Sequence, residues 1–127
     1  MDAAGFAEWM DAYGRAYEER DPDAAARLFT DDATYQWGPF GDLLRGPAAI
    51  RERWASAVGD ERETAWRFEY EVLAVTDEVG VARWIASNDV PHEGRRRLYD
   101  GVFEVTMREV LCNRFREWWN TSEAPLD

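Results

Sequence analysis

Apolar side chains follow two different periods along this chain, and the change of period divides it into a helical part and a strand part. In the first twenty residues they recur every three or four positions, as on one face of a helix. This stripe consists of Phe6, Trp9, Met10, Tyr13 and Tyr17. From Glu63 onward apolar and charged residues alternate, which is typical of half-buried antiparallel strands.

Turn and cap residues predict the remaining elements. Asp21-Pro22 can cap and start a second helix, and Gly46-Pro47 opens a third. Between these helices the pattern predicts a short strand over residues 33–37 and a loop over 38–42. After the strand that begins at Glu63, three more strands are predicted. Their bounds are 79–90, 95–107 and 110–120.

Three helices followed by a long meander predict an α+β fold, with the helices packed on one face of a curved, mostly antiparallel sheet. Long strands twist, so the sheet should wrap partway around the first helix and leave a cone with an open mouth. The chain has 127 residues and no segment that reads as a linker. We therefore expect a single domain over residues 1–127.

Composition limits the classes of molecule that this domain is expected to bind. The formal net charge of −11 argues against binding to nucleic acid or to anionic lipid. No apolar run is long enough for a membrane span, and no signal peptide is visible, so a cytoplasmic protein is expected. Cys112 is the only cysteine, which excludes an intrachain disulfide and favours a reducing compartment. The basic run Arg95–Arg97 is typical of a solvated hairpin edge.

Three segments of the chain resemble a known family. The run DPDAAARLFTDDATY over residues 21–35 resembles the first conserved segment of SnoaL-like proteins of the nuclear transport factor 2-like superfamily. GPAAIR at 46–51 resembles the opening of their third helix, and FREWW at 115–119 resembles their last strand. The resemblance implies a cone with a deep pocket for a small hydrophobic or aromatic molecule, commonly dimeric and without metal or organic cofactor.

Ketosteroid isomerases of the same superfamily offer the sharpest comparison. Aligned on the 21–35 segment, their oxyanion tyrosine falls on Tyr13 and their base carboxylate falls on Trp37. Their second donor falls on Asp100 or Gly101, because a one-residue shift of register is not settled by sequence. Loss of the base to tryptophan predicts that this chain does not isomerise steroids by that mechanism.

The same alignment predicts which polar groups face the pocket. Asn113, Glu117 and Trp119 should point inward from the last strand, and Arg83 should point inward from the strand 79–90. Arg83 and Glu117 then form either a structural ion pair, or a catalytic pair with Glu117 as general base or acid and Arg83 as an oxygen ligand.

Other candidates carry two interpretations each. Tyr13 is either a core tyrosine or a hydrogen-bond donor in the pocket. Asp100 is a candidate catalytic group, although the alternation around it favours an outward orientation. Trp37, Phe40 and Trp66 are expected to line the wall or the mouth.

These residues favour a cofactor-free acid/base enzyme of the cyclase, isomerase or dehydratase type, acting on an apolar or aromatic substrate. The alternatives are a non-catalytic binding or dimerisation module, and a cone filled by its own side chains. No cluster of His, Cys, Asp or Glu has metal-ligand spacing. Trp84 and Trp118 are expected on the outer sheet face, which favours a homodimer through that face.

Overall fold

Six strands and three helices make up the fold, and the computed structural model describes all residues from 1 to 127. In chain order the elements are α1 (Ala3–Glu18), α2 (Pro22–Ala26), β1 (Phe29–Gln36), β2 (Leu43–Arg45), α3 (Gly46–Val58), β3 (Thr64–Thr76), β4 (Val79–Val90), β5 (Arg95–Arg108) and β6 (Leu111–Pro125). A single 3-10 turn at Pro91–Glu93 joins β4 to β5.

Helix α1 buries the predicted apolar stripe against the sheet. Asp2 caps it, because its Oδ1 accepts a hydrogen bond from the Gly5 amide at 2.8 Å. Phe6, Trp9, Met10 and Tyr13 are all buried. The packing on β3 is close: a Cβ added at Gly14 would lie 2.7 Å from Cδ1 of Phe68. The helix is therefore held at a fixed height over the sheet.

The sheet is mixed, with the strand order β2-β1-β6-β5-β4-β3. Strand β1 runs parallel to β6, and every other neighbouring pair is antiparallel. Helix α1 packs on one face of this sheet, against the inner side chains of the long strands. No helix is long and apolar enough to cross a membrane.

The predicted order of elements is right only in part. Three helices do pack on a sheet, and a strand lies between α2 and α3 as predicted, but this strand β1 and the additional β2 both join the sheet, so the helices do not all precede it. Strand β1 begins at Phe29 rather than at residue 33, and the short β2 was not predicted. Strand β6 continues to Pro125, because β5 supplies hydrogen-bond partners along its whole length.

Strand β4 has the opposite face inward from the one predicted. Ala82, Trp84 and Ala86 are buried, whereas Arg83 and Ile85 face outward. Near its start, the inner face of β4 has no room for a side chain, because Phe6 of α1 packs there. At Gly80, an added Cβ would lie 2.6 Å from the ring of Phe6. The space beside Gly80 decides which face of this strand points inward, and the alternation of polar and apolar residues does not reveal that space.

A β-bulge adjusts the phase of β6. Thr106 of β5 pairs with Arg114 and Met107 pairs with Cys112, so Asn113 has no partner across the ladder. Beyond the bulge, Phe115, Glu117 and Trp119 face inward, while Trp118 is exposed. The bulge therefore brings a carboxyl side chain to the interior in the middle of the sheet.

Candidate functional site

A cavity of about 200 Å³ lies between the inner face of the sheet and helices α1 and α3. Most of its lining residues are aromatic, so its wall is largely apolar. An apolar cavity of about 150 Å³ accommodates benzene in another protein, so this one has room for a compact ring system. The interpretation that the cone is filled by its own side chains is therefore wrong.

Glu117 brings a carboxyl group into this aromatic interior. The residue is 5% exposed. Burial alone raises the pKa of Glu117 from 4.5 to about 8, and no basic group or hydrogen-bond donor of the protein lowers it. The carboxyl group is therefore mostly protonated at pH 7. A neutral carboxylic acid can donate a proton, and after losing it can take one back.

Tyr13 of α1 and Tyr35 of β1 form a pair of hydroxyl groups in the same part of the cavity. Their oxygens are 2.9 Å apart, and both side chains are buried. Burial raises the pKa of each tyrosine well above 10, and a negative charge on Glu117 would raise both further. Both hydroxyls therefore stay protonated at neutral pH. Since only one of them donates in the shared hydrogen bond, the other keeps a free O–H for a ligand.

Indole rings stiffen the wall around these groups. Trp37 stacks on Tyr35 with ring centroids 5.5 Å apart, and the guanidinium of Arg53 lies 5.4 Å from the Trp37 centroid. Trp119 packs on Gly38, where an added Cβ would lie 3.1 Å from the indole and where φ is +78°. The rings are thus held by cation–π contacts and close backbone approach.

The other end of the cavity has its own polar groups. Tyr17, Arg97 and Tyr99 line it together with Trp66. Nη2 of Arg97 lies 2.8 Å from Oε2 of the buried Glu63. The run Arg95–Arg97 was expected to be a solvated edge, but its third member faces inward.

Five of the predicted site residues meet in this cavity: Tyr13, Trp37, Trp66, Glu117 and Trp119. Tyr13 is a hydrogen-bonded cavity residue, so its two interpretations are compatible. Trp37 lines the aromatic wall of the cavity, as predicted. The roles assigned to these residues remain proposals.

Four other predicted site residues lie elsewhere. Arg83 and Asp100 pair with each other on the outer face, with Nη2 and Oδ2 2.6 Å apart. Arg83 was assigned to the wrong face of β4, whereas the alternation around Asp100 had already favoured its outward orientation. Phe40 is fully exposed in the loop between β1 and β2. Asn113 is the bulge residue and does not line the cavity.

The ion pair considered between Arg83 and Glu117 is therefore absent. Its two members lie on opposite faces of the sheet.

Several cavity residues escaped prediction. Tyr35 of β1 was not predicted, and its two-residue spacing from the predicted Trp37 was the available signal. Trp54 was expected in the core, but it also lines the cavity. Trp84 was assigned to the outer face and is buried, because the phase of β4 was misjudged. For Arg97 the sequence offered no signal, since its neighbours are also arginines.

Metal and thiol chemistry find little support in the geometry. No group of three or more His, Cys, Asp or Glu side chains is arranged to hold a metal ion. Cys112 is buried, and burial raises its pKa to about 12, so its thiol does not ionise at neutral pH.

Comparisons with solved structures agree with this architecture. The epoxide hydrolase/cyclase-like enzyme SalBIII, described for its role in pyran ring formation in the polyether salinomycin, is 26% identical, with 94% of this chain and 93% of that chain covered and a TM-score of 0.78. A protein of ketosteroid isomerase-like fold from Catenulispora acidiphila DSM 44928, in complex with trimethylamine, is 15% identical over 87% of this chain and 84% of that chain, with a TM-score of 0.74.

An LEH-like epoxide hydrolase from M. tuberculosis is 12% identical over 92% of this chain and 84% of that chain, with a TM-score of 0.69. The last two similarities concern the fold alone. No curated protein sequence matches the chain significantly. The family model of the SnoaL-like domain matches residues 8–115. The chain therefore belongs to the SnoaL-like domain family, within the nuclear transport factor 2-like superfamily.

Proposed function

We propose that this protein is a cofactor-free acid/base enzyme that uses Glu117 on a compact apolar or aromatic substrate held in the cavity. The observation that carries the proposal is the buried, unpaired carboxyl group of Glu117 in an aromatic cavity. Burying such a group without a partner costs stability. A pKa near 8 also suits proton transfer at neutral pH, because a catalyst works best when its pKa lies near the working pH.

The cyclase type is the reaction class that fits best, and the similarity to an epoxide hydrolase/cyclase-like enzyme supports it. In this proposal the protonated Glu117 gives its proton to an epoxide oxygen as the C–O bond of the ring breaks. A water molecule, or a hydroxyl group of the same substrate, forms the new C–O bond. The Glu117 carboxylate then takes the proton that this nucleophile loses, which restores the starting state.

The tyrosine pair assists the same step. The free O–H of Tyr13 or Tyr35 donates a hydrogen bond to the oxygen that gains negative charge as the ring opens. Isomerase or dehydratase chemistry would use the same groups on a carbonyl or hydroxyl oxygen. One carboxyl group suffices in each case, so a base at the position of Trp37 is not required.

The test is turnover of styrene oxide and of a phenyl-substituted epoxy-alcohol, with diol and cyclic ether as the products measured. The variant Glu117→Gln keeps the size of the side chain and removes its proton transfer. We expect it to lower kcat by about 10²–10⁴-fold. Asp100→Asn makes the same chemical change on the outer face of the sheet, and kcat should stay within about twofold of the wild type.

The second candidate is a non-catalytic binding module for a hydrophobic molecule. One observation favours it: Trp37 adds an indole ring to the apolar wall of the cavity, at the position where the alignment with ketosteroid isomerases predicts their base. This candidate predicts binding without product and tolerance of Glu117→Gln. Turnover that survives Glu117→Gln unchanged would contradict the role of Glu117, whereas binding without any turnover would favour the module.

We also propose a homodimer through the outer sheet face, on a narrower basis than the sequence indicated. Trp84 is buried and cannot take part in this contact, but Trp118 and Ile85 are exposed on the outer face. The ladder places Val102 between Arg83 and Trp118, so apolar and charged side chains alternate across the face. Sedimentation at high micromolar concentration should show a dimer that Trp118→Lys disrupts. A wild-type monomer would contradict the proposal.

A further inference from the structure

The polar groups of the cavity form two sets at opposite ends of it. Glu117 lies across from Phe103 on β5, whereas Arg97 and Tyr99 lie farther toward the start of the same strand. On α1, Tyr13 of the first set and Tyr17 of the second set lie four residues apart, which corresponds to roughly 6 Å along the helix. Aromatic rings line the cavity between the two ends. A molecule in this cavity therefore meets one polar set at each end.

The end with Arg97 contains donors that the protein leaves without partners. The Tyr17 hydroxyl and the Nε of Arg97 are both buried and make no hydrogen bond. Both residues line the cavity. A buried donor without a partner costs stability, and a ligand oxygen that accepts from it removes this cost. Native proteins satisfy most buried polar groups, so two orphaned donors at one end of a cavity point to a ligand atom.

The charge at this end is already balanced. Nη2 of Arg97 lies 2.8 Å from Oε2 of Glu63, and the other oxygen of Glu63 accepts a hydrogen bond from Nδ2 of Asn88 at 2.7 Å. The positive charge of Arg97 is thus offset by a buried carboxylate, and an added anion would meet the negative charge of Glu63. A neutral acceptor oxygen can use the free donors without that repulsion.

We propose that Tyr17 and Arg97 form a second polar subsite, which binds a neutral oxygen of the ligand such as a carbonyl, ether or hydroxyl oxygen. The ligand is then a compact aromatic or apolar molecule with an oxygen function at each end. One oxygen sits among Tyr13, Tyr35 and Glu117, and the other accepts from Tyr17 and Arg97. That the first of these oxygens is the reacting one rests on the proposed function; the binding at Tyr17 and Arg97 does not.

Calorimetric titration with three naphthalene probes tests the subsite without requiring turnover. The probes are 2-naphthol with one oxygen, 2,6-dihydroxynaphthalene with a neutral oxygen at each end, and 6-hydroxy-2-naphthoate with an anionic end. The wild type should bind the diol about fivefold more tightly than 2-naphthol, because each of the two hydrogen bonds to its second oxygen contributes roughly twofold, at the low end of the usual range. The naphthoate should bind more weakly than the diol.

Two substitutions remove the donors singly. Tyr17→Phe deletes only an unpartnered hydroxyl, and Arg97→Lys keeps a charge for Glu63 but removes the Nε donor. Each should reduce the preference for the diol over 2-naphthol to within about twofold. Tyr70→Phe is the matched control, because the Tyr70 hydroxyl binds Asp11 and the Ala7 carbonyl outside the cavity. It should leave the preference unchanged.

Each result decides the proposal. It is overturned if both variants keep the wild-type preference, if the wild type does not distinguish diol from naphthol, if the naphthoate binds most tightly, or if no probe binds. Where a variant fails to fold, the three wild-type affinities decide alone. If Glu117→Gln abolishes turnover but Tyr17→Phe does not change binding, the subsite is contradicted and the proposed enzyme is supported. The predicted preference for the diol without any turnover would support the subsite and contradict the proposed enzyme.

Discussion

Glu117 and Asp100 are carboxyl groups on neighbouring strands of one sheet, yet their chemistry is opposite. Glu117 faces the aromatic interior, where burial raises its pKa to about 8. Asp100 faces outward, where hydrogen bonds from Arg83 hold its pKa below the usual value of 3.8. One carboxyl group is ready to give up a proton at neutral pH and the other is permanently ionised. The face of the strand decides the difference.

The pairing of the outer face explains why it makes a poor catalytic site. Arg83 binds Asp100 through two hydrogen bonds, and Arg116 binds Glu104 in the same region. The hydrogen bonds from Arg83 outweigh the small effect of burial and lower the pKa of Asp100, so this carboxyl group holds no proton to transfer at neutral pH. On the inner face the protein supplies no cation to Glu117. An unpartnered acid in an apolar cavity retains its proton, and this makes it useful for proton transfer.

The largest effect that separates the two faces should appear in the pH dependence of stability. Glu117 has a pKa of about 8 in the folded state and 4.5 as its ordinary value. The folded state therefore binds more protons between these values, and its stability falls as pH rises through this window. Each pH unit lowers the unfolding free energy by about 1.4 kcal/mol, so the total loss across this window is several kcal/mol.

Urea unfolding of the wild type and Glu117→Gln at pH 5 and pH 8 measures this effect. The variant should lose most of the decline in stability that the wild type shows between the two pH values. Asp100→Asn should retain it. An equal decline in wild type and Glu117→Gln would mean that Glu117 is ionised in the folded protein.

A smaller effect is expected from adding one methyl group to the inner face. A Cβ at Gly101 would lie 2.0 Å from the Trp118 carbonyl oxygen and 2.8 Å from Cβ of Trp119. Gly101→Ala should therefore destabilise the protein by about 1–3 kcal/mol, as overpacking does. Asp100→Ala, one residue away on the outer face, should cost clearly less. Thermal unfolding compares the two, and equal losses would contradict the tight packing of Trp119 on this strand.

The hydroxyl groups of the cavity should differ among themselves. Tyr35→Phe removes the partner of the Tyr13 hydroxyl and should cost about 1 kcal/mol of unfolding free energy. Tyr17→Phe removes a buried hydroxyl that has no partner, and should be neutral or slightly stabilising. Chemical denaturation distinguishes them. A larger loss for Tyr17→Phe would show that its hydroxyl is bound within the protein.

The smallest effect is expected on the outer face. Arg83→Gln breaks an exposed ion pair, and exposed pairs contribute little because solvent and salt screen them. The unfolding midpoint should stay near that of the wild type, and added salt should remove what difference there is. Unfolding is measured at low micromolar concentration, where the proposed dimer dissociates and leaves this face exposed to solvent. A loss as large as that of Gly101→Ala would contradict the exposure of the ion pair.

The general architecture was predictable because it depends on periodicity. The α1 stripe, the alternation that begins in β3 and the FREWW segment each follow from spacing, and the cone follows from their order. Glu117 was placed inward by the alignment with the related family, and its neighbours Phe115 and Trp119 share its phase. The family resemblance added Tyr13, whose burial by itself would indicate only a core residue.

Positions that depend on volume or on a bulge were not predictable. Both faces of β4 contain apolar residues, so alternation does not show which face points inward. Only the close approach of Phe6 to Gly80 decides it. Because the inward face of β4 was misjudged, Arg83 was predicted to point into the cavity. The unsettled register of β5 left Asp100 as a candidate site residue. Asn113 was misplaced because a bulge is not visible in an alternating pattern. Arg97 reaches the cavity through its pairing with Glu63, a contact between residues 34 positions apart.

The most direct test of the account is the titration of the side-chain carboxyl carbons by NMR, with ¹³C-labelled glutamate and aspartate and with Glu117→Gln and Asp100→Asn to assign the signals. The account predicts that the Glu117 carboxyl titrates near pH 8. It predicts that Asp100 stays ionised down to below its usual range. A Glu117 signal that titrates near pH 4.5 would contradict the central claim that the cavity holds a protonated acid at neutral pH.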